Sequence, residues 1–136
     1  MAKEIKNSLN GSGLKIAIAV ARFNEVVTDK LLEGALRQLE LLGVAEKDVT
    51  VVRVPGAFEL PGVCRRLADS KKYSAVMAIG AVIRGETSHY DVVVNASTGG
   101  VASIAAEGKL PVILGILTTD TVDQAMNRAG LKAGNL

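Results

Sequence analysis

The chain has 136 residues, of which 49% are hydrophobic and 22% charged, and its formal net charge is +2. This length fits one domain whose core needs no metal or disulfide, and the composition excludes a disordered chain. The 16 basic and 14 acidic residues are spread along the sequence without a dense basic stripe, which argues against nucleic acid as a partner. The high apolar content indicates an α/β protein with a large interior, or one that buries further surface in an oligomer.

Cysteine usage and the N-terminus restrict the class further. Cys64 is the only cysteine, so the chain forms no internal disulfide, and no Cys/His cluster is present to hold zinc. We interpret Cys64 as a small buried apolar residue on a helix. Residues 1–6 lack the apolar core of a signal peptide, and no run is long enough to span a bilayer. We expect a cytoplasmic protein with no membrane partner, or a stromal one if a plastid transit peptide has been removed.

The N-terminal part of the chain predicts a strand followed by a helix. Residues 14–21 (LKIAIAVA) form a nearly continuous apolar run, which is typical of a strand covered on both faces. Over residues 24–43 the apolar positions recur at helical spacing, with Asn24 as a candidate cap and Gly43 as the stop. Residues 5–9 are a candidate edge strand.

The same alternation continues along the chain. Three further apolar runs predict strands, over residues 49–54 (VTVVRV), 74–83 (SAVMAIGAVI) and 111–117 (PVILGIL). Three helical segments follow them, over about 59–69 with Pro61 near the first turn, 88–108 and 121–129. Alternating strands and helices imply parallel pairing through right-handed crossovers. The predicted fold is therefore a three-layer α/β/α sandwich with a four-stranded parallel sheet.

The segment after the third strand carries conflicting signals. Three consecutive valines at 92–94 favour a strand, and Gly99 and Gly100 interrupt the helical pattern. We still predict a helix there. The glycine pair either lets two backbones approach closely, as at a subunit contact, or kinks the helix.

The loops after the strands converge in a parallel sheet, because the carboxyl ends of its strands lie at one edge. The chain's single histidine, His89, lies in one of these loops, behind a turn that contains Gly85, Thr87 and Ser88. An imidazole ordinarily titrates near neutrality, so His89 is a candidate proton-transfer group, with a surface or packing role as the alternative.

Other loop residues suggest a ligand that is flat and phosphorylated. Phe23 and Phe58, the only phenylalanines, both fall in these loops and favour a planar ligand, although Phe58 could equally hold a helix against the sheet. Glu59 could accept hydrogen bonds from ligand hydroxyls or be a plain helix-start acid. The amides of residues 85–87 could hold a phosphate, with Arg128 as its cationic partner or as a solvated arginine.

Five segments combine into one specific pattern that runs in order over almost the whole chain: 22–24 (RFN), 55–61 (PGAFELP), 80–91 (GAVIRGETSHYD), 115–118 (GILT) and 127–130 (NRAG). Together they strongly resemble the 6,7-dimethyl-8-ribityllumazine synthase family. The resemblance implies an enzyme, a transferase of the penultimate step in riboflavin biosynthesis. It would condense 5-amino-6-(D-ribitylamino)uracil with 3,4-dihydroxy-2-butanone 4-phosphate to 6,7-dimethyl-8-ribityllumazine, releasing phosphate and water without a cofactor or a metal.

The resemblance also implies roles for individual residues. His89 would shuttle protons during Schiff-base formation, phosphate elimination and ring closure. Residues implied to contact the aminouracil, with Phe23 stacked on its ring, are Phe23, Ala57, Phe58, Glu59, Ala81, Val82, Ile83 and Leu114. Residues implied to bind the butanone phosphate are Gly85, Glu86, Thr87 and Arg128.

Two departures from the family pattern are visible. Leu114 stands where the family usually has a phenylalanine that reaches the active site of the neighbouring subunit, so ring stacking there is lost. The family pattern continues past Gly134 and Asn135 with a lysine, a glycine and a long helix, whereas this sequence stops at Leu136. We expect a single domain over 1–136 without that C-terminal helix, either natively or because the sequence is shortened.

Assembly and two alternative functions follow from the same resemblance. Family members form homopentamers, some of which build icosahedral shells of twelve pentamers with sites between adjacent subunits. Pentamer and 60-subunit shell stay open here, and riboflavin synthase is a candidate partner. Leu114 and the absent tail motivate one alternative, a catalytically weak lumazine- or flavin-binding protein. The other alternative is a shell-forming scaffold subunit.

Overall fold

The computed structural model describes residues 2–131, which form a single four-stranded parallel sheet with helices between the strands. The strands are β1 (Ile16–Ala21), β2 (Val49–Val54), β3 (Ala75–Ile83) and β4 (Val112–Thr119). The helices are α1 (Glu25–Leu41), α2 (Leu60–Asp69), α3 (His89–Ala106) and α4 (Val122–Met126), with short 3₁₀ turns at Glu46–Asp48 and Ala57–Glu59 and a final irregular turn at Asn127–Leu131. The spatial order of the strands is β2-β1-β3-β4.

Helices cover both faces of the sheet and make three layers. One core contains residues of α2 and α3 packed on the sheet, whereas α1 contributes to the cores on the opposite face and α4 joins it there. β1 is buried along its whole length because it pairs with a strand on each side and is covered on both faces. Ile18 and Leu60 are fully buried, and each such side chain contributes about 1.5–3 kcal/mol through removal of apolar surface from water. The predicted three-layer fold is confirmed.

The candidate edge strand over residues 5–9 is not part of the sheet in this chain. No strand forms there, and Ile5 and Leu9 are 88% and 84% exposed. These two apolar residues are separated by polar ones and do not offer a continuous apolar face for the sheet to bury. The helix predicted over 121–129 is also too long, because regular helix ends at Met126 and Gly130 adopts a φ of 116° in the following turn.

The helix predicted after β3 is confirmed, and it runs through the valine triplet and the glycine pair. A Cβ atom on Gly100 would lie 2.6 Å from the Cγ of Pro61, so Gly100 permits α3 to approach α2 within the same chain. A Cβ atom on Gly99 would meet nothing within 4 Å. The close approach at Gly100 is therefore explained by packing of α2 against α3.

The two predicted ends of α1 have different outcomes. Asn24 occupies the cap position, but its side chain makes no capping hydrogen bond. Gly43 stops the helix with a φ of 88°, and its N–H donates to the carbonyl of Glu40 while the N–H of Val44 donates to that of Leu39. This pair of hydrogen bonds defines a Schellman motif, in which the positive φ favours glycine.

The remaining features concern surfaces and Cys64. Ile113 and Leu114 of the edge strand β4 are 43% and 52% exposed, so the described residues leave apolar surface uncovered there.

Cys64 is buried on α2 as predicted, and this burial raises the pKa of its thiol to about 11. None of the helices within 2–131 is long and apolar enough to cross a membrane. The departure predicted after Asn135 lies outside the described residues.

Candidate functional site

A cleft of about 380 Å³ opens at the carboxyl edge of the sheet. The loops after β1, β2 and β3 form it together with the first turns of α3, as expected where parallel strands end. Its lining residues are Phe23, Asn24, Gly56, Ala57, Phe58, Ala81, Val82, Ile83, Gly85, Thr87, His89, Tyr90 and Val93. The sequence therefore predicted nine of the residues that the structure brings together here, including His89.

Both phenylalanines present apolar surface at this cleft. Phe23 is 72% exposed and Phe58 is 60% exposed. Phe58 is therefore not held between a helix and the sheet, and its exposure argues against the packing alternative. Two exposed aromatic rings at the mouth of a mostly apolar cleft are suited to contact a flat ligand.

The loop that leads from β3 to α3 brings His89 and Thr87 to the cleft. His89 is the first residue of α3 and is exposed. Its backbone N–H donates to the hydroxyl of Thr87 at 3.3 Å. The N–H of Asp91 donates to the carbonyl of Ser88 at 3.0 Å. The positive end of the α3 dipole therefore lies beside the turn of residues 85–87, where it favours an anion.

Asn24 connects the β1 loop to the end of β3. Its backbone is left-handed, with a φ of 63°, and its Nδ2 donates to the carbonyl oxygen of Ala81 at 2.8 Å. This conformation is costly for a residue with a Cβ atom, but asparagine tolerates it better than most. The hydrogen bond holds the neighbouring Phe23 at the same edge as residues 81–83.

Four predicted site residues do not line the cleft of this chain. Glu59 lies at its border, where its Oε1 accepts a hydrogen bond from the N–H of Gly56 at 3.0 Å and closes the 3₁₀ turn before α2. Glu86 is exposed on the β3–α3 loop. Leu114 lies opposite Ala78 in the interior of β4 and lines a separate groove, and Arg128 is exposed on the final turn.

Charge is scarce in the cleft. Among the described residues that line it, none is a lysine, an arginine or a carboxylate. The nearby Arg84 lies with its guanidinium carbon 4.4 Å from the centroid of the Tyr90 ring. A hydrogen bond to Asp120 is the main cause that raises the pKa of Arg84 above its ordinary value. A phosphate at residues 85–87 would thus need a cation from outside this lining.

The structure adds four residues to the predicted lining, which are Asn24, Gly56, Tyr90 and Val93. Helical spacing could have identified two of them, because Val93 follows His89 by four residues on the same face of α3 and Tyr90 precedes Val93 by three. Asn24 and Gly56 belong to loops that the sequence placed at this edge. Their lining positions depend on how those loops pack.

Comparison with known protein families identifies the family of this chain. Residues 13–136 match the family model described as 6,7-dimethyl-8-ribityllumazine synthase. The matched span contains the whole sheet and every residue that lines the cleft.

Proposed function

The chain belongs to the 6,7-dimethyl-8-ribityllumazine synthase family, and we propose that it makes the family's product. In this proposal it condenses 5-amino-6-(D-ribitylamino)uracil with 3,4-dihydroxy-2-butanone 4-phosphate and releases phosphate and water. The family implies a transferase-type enzyme of riboflavin biosynthesis. The observation that carries the proposal is one cleft that joins an exposed aromatic ring, the turn before α3 and the single histidine.

The apolar half of the cleft is suited to the aminouracil. The exposed ring of Phe23 would stack on the heterocycle, while the backbone of residues 81–83 would bind its polar edge. Residues 57–59 would contact the ribityl chain, with the Glu59 carboxylate accepting from its hydroxyls. The volume of about 380 Å³ lies in the range of small-molecule sites.

The other half is suited to the phosphate of the butanone. The amides of residues 85–87 and the positive end of the α3 dipole would hold the phosphate. Phosphate loss builds negative charge on the leaving oxygens, so a nearby arginine would stabilise the transition state. Since no lysine or arginine among the described residues lines the cleft, we place Arg128 of a neighbouring copy there.

Association of copies also accounts for Leu114. Its apolar side chain is 52% exposed and distant from the carboxyl edge of its own sheet. In a homopentamer, Leu114 of one copy would contact the aminouracil bound to the next, through apolar contact without ring stacking. Shell formation, cytoplasmic location and contact with riboflavin synthase stay predictions.

His89 would move the protons of the reaction. The aminouracil brings its own nucleophile and the butanone its own leaving group, so the protein needs to align both and transfer protons. His89 would take a proton as the amine attacks the ketone, and would return it as water leaves. The same ring would serve phosphate elimination and ring closure, because all these steps occur beside the turn of residues 85–87.

Turnover of the two substrates, followed by lumazine fluorescence, tests the proposal. We expect wild type to form product and His89→Ala to lose about 10²-fold in kcat, which is the low end for a removed acid–base group because the reaction also proceeds uncatalysed. Arg37→Ala is the control, since Arg37 is an exposed residue of α1 paired with Glu33. Unchanged turnover in His89→Ala would refute the proton role. If the wild-type protein binds lumazine or flavin tightly but does not turn over the substrates, the binding-protein alternative is supported. If its subunits assemble but bind neither compound, the scaffold alternative is supported.

Mixing two inactive variants tests whether sites are shared between chains. Phe23→Ala and Arg128→Ala subunits, unfolded together and reassembled in equal amounts, should recover about a quarter of the sites if each site takes one residue from each of two neighbours. Mixed subunits would recover nothing if both residues served the same chain's site. That result would refute a site shared between two chains, but it would not contradict the proposed reaction.

A further inference from the structure

Arg84 is the first residue after β3, and contacts with two other parts of the chain hold it. Its backbone N–H donates to the carbonyl of Thr119 at 2.9 Å. Its Nε donates to Oδ1 of Asp120 at 3.0 Å, and its guanidinium covers the ring of Tyr90. Arg84 therefore connects the end of β3, the end of β4 and the first turn of α3.

These contacts close the loop that carries the cleft's polar groups. Arg84 begins the loop and Tyr90 follows it, so the contact between them joins its two ends. Thr87 and His89 lie between these ends and line the cleft. A loop whose ends are joined loses conformational freedom, and its side chains keep fewer positions relative to the cleft.

The anchor for the guanidinium is itself well held. The N–H groups of Asp120 and Thr121 donate to Oε1 of Gln124 at 2.8 Å and 3.3 Å. The N–H of Gln124 in turn donates to the hydroxyl of Thr121 at 3.1 Å, which makes Thr121 and Gln124 a capping box. This capping box fixes the start of α4 and, with it, the position of the Asp120 backbone.

Global stability does not explain this arrangement. The side chains of Arg84 and Asp120 are 47% and 66% exposed, and ion pairs so exposed contribute little to the free energy of folding. The contacts instead determine the local position of Tyr90, which forms part of the cleft wall and lies next to His89 in the sequence. The arrangement thus acts on the geometry of the site.

We propose that Arg84 is a positioning residue for the reaction: held by Asp120 and Tyr90, it fixes the loop that presents Thr87 and His89 to the substrates. This inference rests on the proposed function. It follows because a proton-transfer group must lie within hydrogen-bond reach of the atom it serves, and a small displacement of the group slows the step. Arg84 itself touches no substrate in this proposal.

The test compares Arg84→Met with Arg65→Met. Methionine keeps much of the apolar stem and removes the guanidinium, and Arg65 is a matched control because it forms a similar exposed pair with Glu107, joining α2 to the end of α3. We expect Arg84→Met to lower kcat about ten-fold and to change KM for the aminouracil less than about two-fold, since the contacts of Phe23 and residues 81–83 remain. Arg84→Lys should recover part of the lost kcat, because its ammonium can still pair with Asp120 but lacks the planar guanidinium that covers the ring of Tyr90.

Hydrogen exchange of the loop amides is a second measurement. It distinguishes a local effect on the loop from a general loss of stability. Exchange at residues 85–89 should accelerate in Arg84→Met and not in Arg65→Met, while the sheet amides keep their protection. If Arg84→Met does not fold, the near-isosteric Asp120→Asn removes the anchor's charge and should lower kcat in the same direction. Wild-type kcat in either folded variant, or unchanged exchange in the loop, would overturn the proposal. A wild-type protein without turnover would refute the proposed function instead, and the exchange comparison would still decide whether Arg84 orders the loop.

Discussion

Replacing Gly100 by alanine should destabilise the protein, whereas the same replacement at the adjacent Gly99 should stabilise it. Both glycines lie inside α3, so alanine removes the same helix penalty at each, about 1 kcal/mol. They differ in their surroundings. The added Cβ would lie 2.6 Å and 2.7 Å from two ring carbons of Pro61 at position 100, and in open space at position 99.

The size of the effect follows from these distances. Carbon atoms pack at about 3.5–4.0 Å, so α2 and α3 would have to separate by about 1 Å to admit the Cβ at position 100. Such overpacking typically costs about 1–3 kcal/mol, which exceeds the helix gain at the middle of that range. We therefore expect Gly100→Ala to be less stable than Gly99→Ala by about 2 kcal/mol. For a chain of this size that difference corresponds to about 8 °C in Tm.

Thermal unfolding of both variants at equal protein concentration measures the difference, and equal concentration matters because association shifts Tm. A double variant with Pro61→Ala checks the cause. If the ring of Pro61 is the obstacle, Pro61→Ala should cancel most of the cost of Gly100→Ala, giving a favourable coupling of about 1–2 kcal/mol. Equal melting of the two single variants would refute the reasoning. A Gly99→Ala variant that assembles into smaller particles than wild type would instead place Gly99 at a contact between chains.

Three further predictions concern Cys64, Asn24 and Gly43. The folded thiol of Cys64 has a pKa near 11 against an ordinary 9.0, so the unfolded chain loses this proton first. The free energy of unfolding should therefore fall by about 2 kcal/mol in denaturant titrations as pH rises from 9 to 11. The fall should be smaller by that amount in Cys64→Ala. Asn24→Ala should lower the free energy of unfolding by about 2 kcal/mol, and Asn24→Gly should lower it by about 1 kcal/mol. Both variants lose the hydrogen bond to Ala81, but only alanine is strained at a φ of 63°. Equal melting temperatures of the two variants would contradict this account. Gly43→Ala should cost about 1–2 kcal/mol in thermal unfolding because its φ is 88°, and an unchanged Tm would show that the turn relaxes.

Local sequence patterns correctly predicted those site residues that directly follow the ends of strands. His89, Thr87 and Gly85 follow a buried strand, and Phe23 and Ala57 follow two others, so the parallel sheet alone brings their loops together. Leu114 was assigned to the site through the family resemblance and Arg128 first as a candidate partner for a phosphate, and neither lines the cleft of its own chain. In our proposal they reach a site only through contact between copies, which no pattern within one chain encodes.

The sequence by itself determined the order of strands and helices, the sheet's parallel character and the edge at which the loops converge. It could do so because apolar periodicity and the signals that end α1 act over a few neighbouring residues. Only the tertiary structure decided which distant side chains meet: Asn24 with Ala81, Arg84 with Asp120, and Gly100 with Pro61. These partners are 36 or more residues apart, and they come together through the β2-β1-β3-β4 strand order and the packing of α2 on α3. Such contacts depend on the whole chain's arrangement, and no local pattern contains it.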